Sequence, residues 1–225
     1  MRSVVEIRPG ALGFDCDERL TREQYGAMRS LGCEFACRYL GDAPGDLTST
    51  EIDDANSQDV GIVLLMHAYA AGWTPETCPG RLYGDAGVRH AMACKAPMGS
   101  ELWADVEGLA DGVTQESVIL WSGGVTRAIM AAGYVSSGYI GAGVPCDSHG
   151  LYMLAFTGYW QSESEVPPVE NRGYRMIQLF VWPRGEALVR EIWQDAPQSV
   201  RDLLVDLDVA QSDKRGVRPR MIIDK

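Results

Sequence analysis

Short apolar runs alternate with helix-forming segments along most of this chain, and that alternation most restricts its fold. Four early runs have strand length and are bounded by turn residues; they are ALGFDC (11–16), EFACRYL (34–40), GIVLLMHAY (61–69) and ELWADVE (101–107). Each of these runs is followed by a segment with helix caps or helical spacing. These segments are residues 20–31, 48–59, 85–96 and 114–133. Such alternation is typical of repeated βα units around a parallel sheet.

The second half of the chain continues the alternation less clearly. Further apolar segments lie at 134–142, 148–156, 158–164 and 174–180, and LLVDLDVA (203–210) is the last. Among these nine segments, eight are counted as strand candidates. Residues 70–84 are rich in Gly, Pro and Thr and are predicted to be a loop. Gly123 and Gly124 are expected to kink or split the helix that contains them.

Eight βα units in 225 residues predict an α/β fold, a single (β/α)8 barrel of the TIM type with short helices. One domain is expected over residues 1–225, with 211–225 as a basic surface tail. The competing architecture is an open doubly wound sheet. That sheet usually carries a glycine-rich nucleotide fingerprint after its first strand, and GFDCDERL (13–20) contains none.

Charge and composition exclude several classes of partner. The formal net charge of −11 disfavours nucleic acid and anionic lipid, and no apolar stretch is long enough for a membrane span. The first ten residues, MRSVVEIRPG, lack the apolar core of a secretory signal, so we expect synthesis in the cytoplasm. The six cysteines form no CxxC pair and are interpreted as mostly free buried thiols.

Pairs of acids separated by one residue lie at the ends of three strand candidates. They are Asp15 with Asp17, Asp105 with Glu107, and Asp206 with Asp208. Residues two apart on a strand point the same way, with Cα atoms roughly 7 Å apart. In a closed barrel the first and last strands are neighbours and the fourth faces them, so these acids would converge on one cleft. Each acid alone could equally be a loop residue or a helix cap.

Converging carboxylates raise one another's pKa, so that one stays protonated while another is ionised, which is the equipment for glycoside hydrolysis. The local sequences also resemble a known family. GFDC (13–16), LWADVEG (102–108) and VDLDVA (205–210), in that order, resemble the lysozymes of glycoside hydrolase family 25. They are still more similar to the bacterial glycoside-hydrolase-like TIM barrel domains long classified as a domain of unknown function. The resemblance covers about residues 11–210.

The resemblance implies a role for each acid. Glu107 matches the general acid that protonates the glycosidic oxygen, and Asp105 matches its companion, which stabilises the oxocarbenium charge or steers an acetamido group. Asp15 and Asp206 match acids that line the sugar site and tune the central pair. Asp208 lies where the lysozymes often have asparagine.

Other side chains are candidates for substrate binding. Sugar rings stack on aromatic faces, and the aromatic candidates, which could instead be packing residues, are Tyr69, Trp73, Tyr159 and Trp160. His67 resembles the histidine on the third strand of the lysozymes, although a hydrogen-bonded structural role is the alternative. Gln178, in MIQLF (176–180), is similar to the glutamine on their seventh strand.

Two functions are compatible with these sequence features. The first is hydrolysis of an amino-sugar polymer, with bacterial peptidoglycan as the expected glycan partner, by a lysozyme-like muramidase of the endolysin or effector kind. The second is a barrel that binds a glycan or a protein without turnover. It is favoured by a departure from the lysozyme pattern after Asp15, where Cys16, Asp17, Glu18 and Arg19 follow. Neither needs a cofactor, and the three histidines lack metal-site spacing, so no metal is expected. The sequence does not indicate the oligomeric state.

Overall fold

The computed structural model describes residues 1–162, 166–181 and 205–224, together with residues 196, 197, 200 and 203. Its strands are β1 (Arg2–Glu6), β2 (Leu12–Cys16), β3 (Cys33–Leu40), β4 (Gly61–Met66), β5 (Glu101–Val106), β6 (Val135–Ile140), β7 (Tyr159–Gln161), β8 (Met176–Val181), β9 (Asp206–Ala210) and β10 (Arg220–Asp224). Its helices are α1 (Arg22–Ser30), α2 (Ser49–Asn56), α3 (Gly80–Ala93), α4 (Gln115–Ala131) and α5 (Ser148–Met153). Parts of three predicted segments lie outside the described residues, namely residues 163–164, 204 and 225.

Strands β2 to β9 form a closed barrel in which each strand pairs with its neighbours in chain order, and β9 returns to pair with β2. The expected eight-stranded α/β barrel of the TIM type, with short helices, is therefore confirmed. The prediction of an all-parallel sheet is wrong for the last strand, because β9 runs antiparallel to both β8 and β2.

The direction of β9 decides which of its acids reaches the catalytic end of a barrel, where the parallel strands finish. Asp206 begins β9 and lies opposite Asp15, near the carboxyl end of β2. Asp208 lies opposite Gly13, one layer deeper in the barrel. Asp206 therefore lines the mouth because it is the first residue of β9, and this antiparallel strand starts where the parallel strands end.

Apolar side chains fill two separate layers. Inside the barrel, Phe35, Leu65, Trp103, Trp160 and Met176 pack among the strands. A second layer lies between the barrel and its helices and includes Met28, Ile52, Val125 and Ile129. Burial on both strand faces explains why the sequence shows continuous apolar runs instead of strict alternation.

Helices α3 and α4 correct two sequence predictions. α3 begins at Gly80, inside the segment predicted to be a loop, and α4 runs unbroken through Gly123 and Gly124. A Cβ at Gly124 would lie 2.9 Å from the backbone nitrogen of Arg81. Gly124 therefore permits close helix packing and produces no kink, and Gly80 meets the carbonyl of Trp121 in the same contact. The segment 148–156 contains α5, which Asp147 caps, and no strand.

The carboxyl-terminal segment is not the solvated basic tail expected for residues 211–225. Strand β10 pairs antiparallel with β1 and, through Ile222, with Ile62 of β4. Ile222 is buried, and so is Asp213, whose carboxylate accepts a hydrogen bond of 3.1 Å from Arg175. These contacts lie near the first residues of β4 and β8, at the end of the barrel opposite to the mouth.

Two further observations concern partners and redox state. None of the helices in the described ranges is long and apolar enough to cross a membrane. All six cysteines are free thiols, and five of them are buried, as the sequence analysis predicted.

Candidate active site

The central feature of the barrel mouth is the pair Asp105 and Glu107. Asp105 is the penultimate residue of β5 and points inward, with only 4% of its surface exposed. Its backbone N–H donates to the hydroxyl of Tyr83 (3.1 Å), and that hydroxyl donates to the carbonyl of His67 (2.9 Å). Glu107 follows the strand and is half-buried. A buried acid and a more accessible one therefore stand side by side, as the DxE spacing predicted.

A second group of acids lies across the mouth and is held by one amide. Gln178 on β8 donates from Nε2 to Asp15 (2.9 Å) and to Asp206 (2.9 Å). Its Oε1 accepts a hydrogen bond from the hydroxyl of Tyr139 (2.9 Å), which fixes the orientation of the amide. Asp15 and Asp206 therefore meet, as the sequence predicted, and Gln178 joins them, which was not predicted. Asp17 is exposed beyond the strand.

Burial raises the pKa of several of these carboxyls. For Asp15 burial is the main cause and the charge of Asp206 adds to it, so that its pKa rises to about 8. Burial also raises the pKa of Asp105 well above its ordinary value, with further contributions from Glu107 and Asp15. The pKa of Glu107 is raised by burial. Crowded carboxyls in a low-dielectric site cannot all ionise, so the cluster retains protons at neutral pH.

Asp208 lies beneath this cluster and is fully buried. Burial raises its pKa well above the ordinary range, and the charges of Asp15 and Asp206 add to the effect, while the indole of Trp160 opposes it. A protonated Asp208 would offer the same hydrogen-bonding groups as a small polar side chain. That state is compatible with the asparagine that lysozymes often have here.

These raised pKa values predict how stability depends on pH. Asp208 and Asp15 keep their protons when folded but titrate near pH 4 when unfolded, so the folded state binds more protons between pH 4 and about 8. Stability should therefore be highest near pH 4 and fall as the pH rises, by at most about 1.4 kcal/mol per pH unit for each such group. Urea unfolding at pH 4 to 8 measures this slope.

Asp208→Asn should make the slope shallower, because it removes one buried group that must lose its proton. Asp111→Asn, at an exposed position, is the matched control and should leave the slope as it is in the wild type. An unchanged slope in Asp208→Asn would contradict a protonated Asp208.

Two tryptophans expected to be sugar platforms have another role. Trp73 is 4% exposed, its ring contacts Trp121, and its indole Nε1 donates to the backbone carbonyl of Glu107 (2.7 Å). Trp160 is fully buried inside the barrel, and Tyr159 is buried on the helix side. Because these aromatic faces are buried, a glycan cannot stack on them in this structure. Trp73 instead supports the backbone of the candidate acid.

His67 and Tyr69 lie at the rim of the mouth. The imidazole of His67 is about half-exposed, stacks on Tyr39 with ring centroids 4.5 Å apart, and has its Nε2 2.6 Å from the buried carboxylate of Asp46. Tyr69 is partly buried and packs against Trp73. His67 is thus both oriented by a carboxylate and accessible, which suits substrate binding, while Tyr69 offers part of one face.

Tyr39, Tyr139 and Asp46 also contact predicted site residues, although the sequence did not indicate them as site residues. Tyr39 and Tyr139 are the penultimate residues of β3 and β6. Burial raises the pKa of both hydroxyls, and the charges of Asp15, Asp105 and Glu107 raise it further. Strand alternation could have placed both tyrosines inward. Asp46 comes from a loop, where no periodicity applies.

The arrangement is suited to acid–base chemistry. The cleft holds carboxyls that share protons, an amide that joins two of them, and tyrosine hydroxyls within the same layer. Among the described residues, no group of three or more His, Cys, Asp or Glu side chains could hold a metal ion.

Comparison with protein families agrees with this architecture. The model of the Rv2525c-like, glycoside hydrolase-like domain matches residues 26–203. The chain belongs to this family. The resemblance inferred from GFDC, LWADVEG and VDLDVA is thereby confirmed. No curated protein matches the chain.

Solved structures share the fold of this glycoside hydrolase-like domain at low sequence identity. The Tat-secreted protein Rv2525c of Mycobacterium tuberculosis, in complex with L-tartrate, is 14% identical with a TM-score of 0.59 (90% of this chain and 95% of that chain). The spore cortex lytic enzyme SleM of Clostridium perfringens is 13% identical with a TM-score of 0.61 (92% and 69%). The muramidase of Trichobolus zukalii is 13% identical with a TM-score of 0.54 (87% and 92%).

Proposed function

We propose that this domain hydrolyses the glycosidic bonds of an amino-sugar polymer, with bacterial peptidoglycan as the substrate. The observation that carries the proposal is the pair Asp105 and Glu107 at the mouth, two acids of unequal burial whose pKa values are both raised. Glycosidases need one carboxyl that stays protonated until the transition state and others that carry negative charge.

Each carboxyl has a defined part in the proposed reaction. Glu107, the more accessible acid, donates its proton to the glycosidic oxygen as the bond to the leaving sugar breaks. Loss of that proton leaves Glu107 as a carboxylate, and Asp105 in its ionised form stabilises the oxocarbenium-like charge on the ring that remains. A water molecule then adds to that ring carbon and returns its proton to Glu107, which completes the hydrolysis. Asp15 and Asp206, held by Gln178, line the same cleft and keep the proton shared among the acids.

The substrate is inferred from the site and from named structural relatives. A muramidase and a spore cortex lytic enzyme share this fold, and the Cpl-1 endolysin, with a TM-score of 0.53, was solved with a peptidoglycan analogue. The acidic cleft suits a polymer whose backbone is neutral and rich in acetamido and hydroxyl groups. Action on the wall would follow release of the protein from the cell that makes it.

The test is hydrolysis of purified peptidoglycan of several wall types at pH 4 to 8. We expect new reducing ends, and borohydride reduction followed by mass spectrometry identifies the sugar that carries them. Because Glu107 must be protonated, activity should fall as the pH rises through its raised pKa. Chitin oligosaccharides, which lack the lactyl and peptide groups of peptidoglycan, are the comparison substrate.

A glycan-binding barrel without turnover is the second candidate. The departure from the lysozyme pattern after Asp15, where Cys16, Asp17, Glu18 and Arg19 follow, favours it. Peptidoglycan that binds in a pull-down but yields no reducing ends at any pH would establish this candidate and reject hydrolysis.

A further inference from the structure

A glycine lies directly against the candidate acid. Gly141 follows β6, and its N–H donates to the carbonyl of Val106 (3.0 Å), so it is the cross-strand neighbour of Glu107. A Cβ built on Gly141 would lie 2.5 Å from the Cβ of Glu107 and would also meet Oε2 of its carboxyl. Carbon atoms in contact need about 3.5 Å. The side chain of Glu107 therefore occupies the space that any other residue at 141 would fill.

The backbone at Gly141 does not itself demand glycine. Gly141 is not among the glycines with positive φ, whereas Gly143, two residues later, has φ 74° and Gly108 has φ 67°. An alanine at 141 would therefore meet no conformational penalty of the left-handed kind. Contact with Glu107 is what requires the missing side chain.

The backbone of Glu107 is held on its other side and cannot simply retreat. Its carbonyl accepts the indole hydrogen bond of Trp73 (2.7 Å), and the carbonyl of the next residue, Gly108, accepts one from the N–H of Gly72 (2.7 Å). The acid is thus enclosed between the loop that follows β4 and the end of β6. A methyl group at 141 would act on a residue whose position is fixed from both sides.

We propose that Gly141 is a positioning residue that sets where the carboxyl of Glu107 lies in the cleft. The inference rests on the proposed function, in which Glu107 is the acid. Relief of the contact needs a displacement of about 1 Å, the difference between 2.5 Å and a normal carbon contact. A misplacement of about 1 Å can cost roughly 100-fold in rate.

The kinetic test compares Gly141→Ala with Gly123→Ala. A Cβ at Gly123 would meet nothing within 4 Å, and the residue lies in α4, remote from the mouth, so it is the matched control. We expect Gly141→Ala to lower kcat on peptidoglycan about 100-fold with KM changed less than about threefold. Gly123→Ala should keep wild-type kcat. A Gly141→Ala enzyme with wild-type kcat would overturn the proposal.

A titration separates this inference from the proposed function. Carboxyl ¹³C signals of glutamate-labelled protein, with Glu107 assigned by its loss in Glu107→Gln, report where Glu107 titrates. In Gly141→Ala the displaced carboxyl should gain water and titrate at lower pH than in the wild type, and Gly123→Ala should not change it. An unchanged titration overturns the positioning role. A shifted titration in a protein that cleaves no wall polymer supports positioning and rejects hydrolysis.

Stability measurements test the contact between Gly141 and Glu107 even if Gly141→Ala folds poorly. If the cost arises from contact with Glu107, then Gly141→Ala should cost no stability in a Glu107→Gly background, where the Cβ at 107 is absent. Thermal unfolding of the four proteins of this cycle measures the coupling. An equal cost in both backgrounds would show that Gly141 serves some other contact.

Discussion

Glu107→Gln is expected to lower the rate of peptidoglycan hydrolysis by about 100- to 10,000-fold, which is what a positioned general acid contributes. Glutamine has the same shape and keeps the contacts with Gly141 and Trp73, but it has no proton to donate. The measurement is the initial rate of reducing-end release at the pH optimum of the wild type. Circular dichroism and unfolding curves confirm that both proteins are folded.

The matched control for this change is Glu116→Gln, at an exposed glutamate in the first turn of α4. It makes the same chemical change outside the cleft and should leave the rate within about twofold of the wild type. Asp105→Asn should also lower the rate, because it removes the buried partner carboxyl. A fully active Glu107→Gln enzyme would show that Glu107 is not the acid and would move the role to Asp15 or Asp105.

Arg38→Met is expected to destabilise the folded domain by about 3–5 kcal/mol, the cost of leaving a buried charge without its partner. Arg38 lies on the helix side of β3 and is fully buried, and its Nε donates to Glu51 of α2 (2.9 Å). The same carboxylate oxygen accepts from the hydroxyl of Tyr25 (2.9 Å) and from the N–H of Leu20 (3.1 Å). Urea unfolding at pH 7 measures the loss.

Two controls separate this buried pair from ordinary surface charge. Arg81→Met removes an arginine whose 3.7 Å ion pair with Asp85 is largely exposed, and it should cost less than about 1 kcal/mol. The double variant Arg38→Met with Glu51→Leu removes both charges and should recover much of the stability lost in Arg38→Met. If the double variant is as unstable as the single one, packing of the arginine stem, and not the unpaired carboxylate, is responsible.

The ion pair of Arg38 and Glu51 also affects the candidate active site. Leu20 lies in the segment that leads from β2, and thus from Asp15, into α1. The positive charge of Arg38 also acts on Asp15 and lowers its pKa, against the larger effect of burial. Loss of Arg38 should therefore raise the pKa of Asp15 further as well as loosen the loop beside it.

Much of the barrel could be predicted because strand signals are local. The predicted strand 11–16 corresponds to Leu12–Cys16, and 101–107 corresponds to Glu101–Val106. Both are short apolar runs between turn residues, and burial on both faces makes them continuous. Helix α1 was predicted from Thr21, which caps it by accepting from the N–H of Gln24. These features depend on a few consecutive residues.

The errors arose where distant segments decide the structure. Gly80 and Gly84 of α3 are typical of a loop when the local sequence is considered alone, and only their contact with α4 explains why these helical positions lack side chains. Strand β10 was interpreted as a surface tail because its partners, β1 and β4, lie far away in the sequence. Trp73 was interpreted as a sugar platform because a Gly- and Pro-rich loop usually lies at the surface, yet its ring packs against Trp121.

The alternation of strands and helices and the position of Asp105, Glu107 and Asp15 at strand ends could be predicted from local sequence, because side-chain periodicity is a property of neighbouring residues. Pairing between distant strands, in contrast, makes β9 antiparallel, so that Asp206 lines the mouth while Asp208 is buried below it. It also places Glu107 against Gly141. Strand direction, burial and close approach depend on pairing across the whole chain, and no local pattern encodes them.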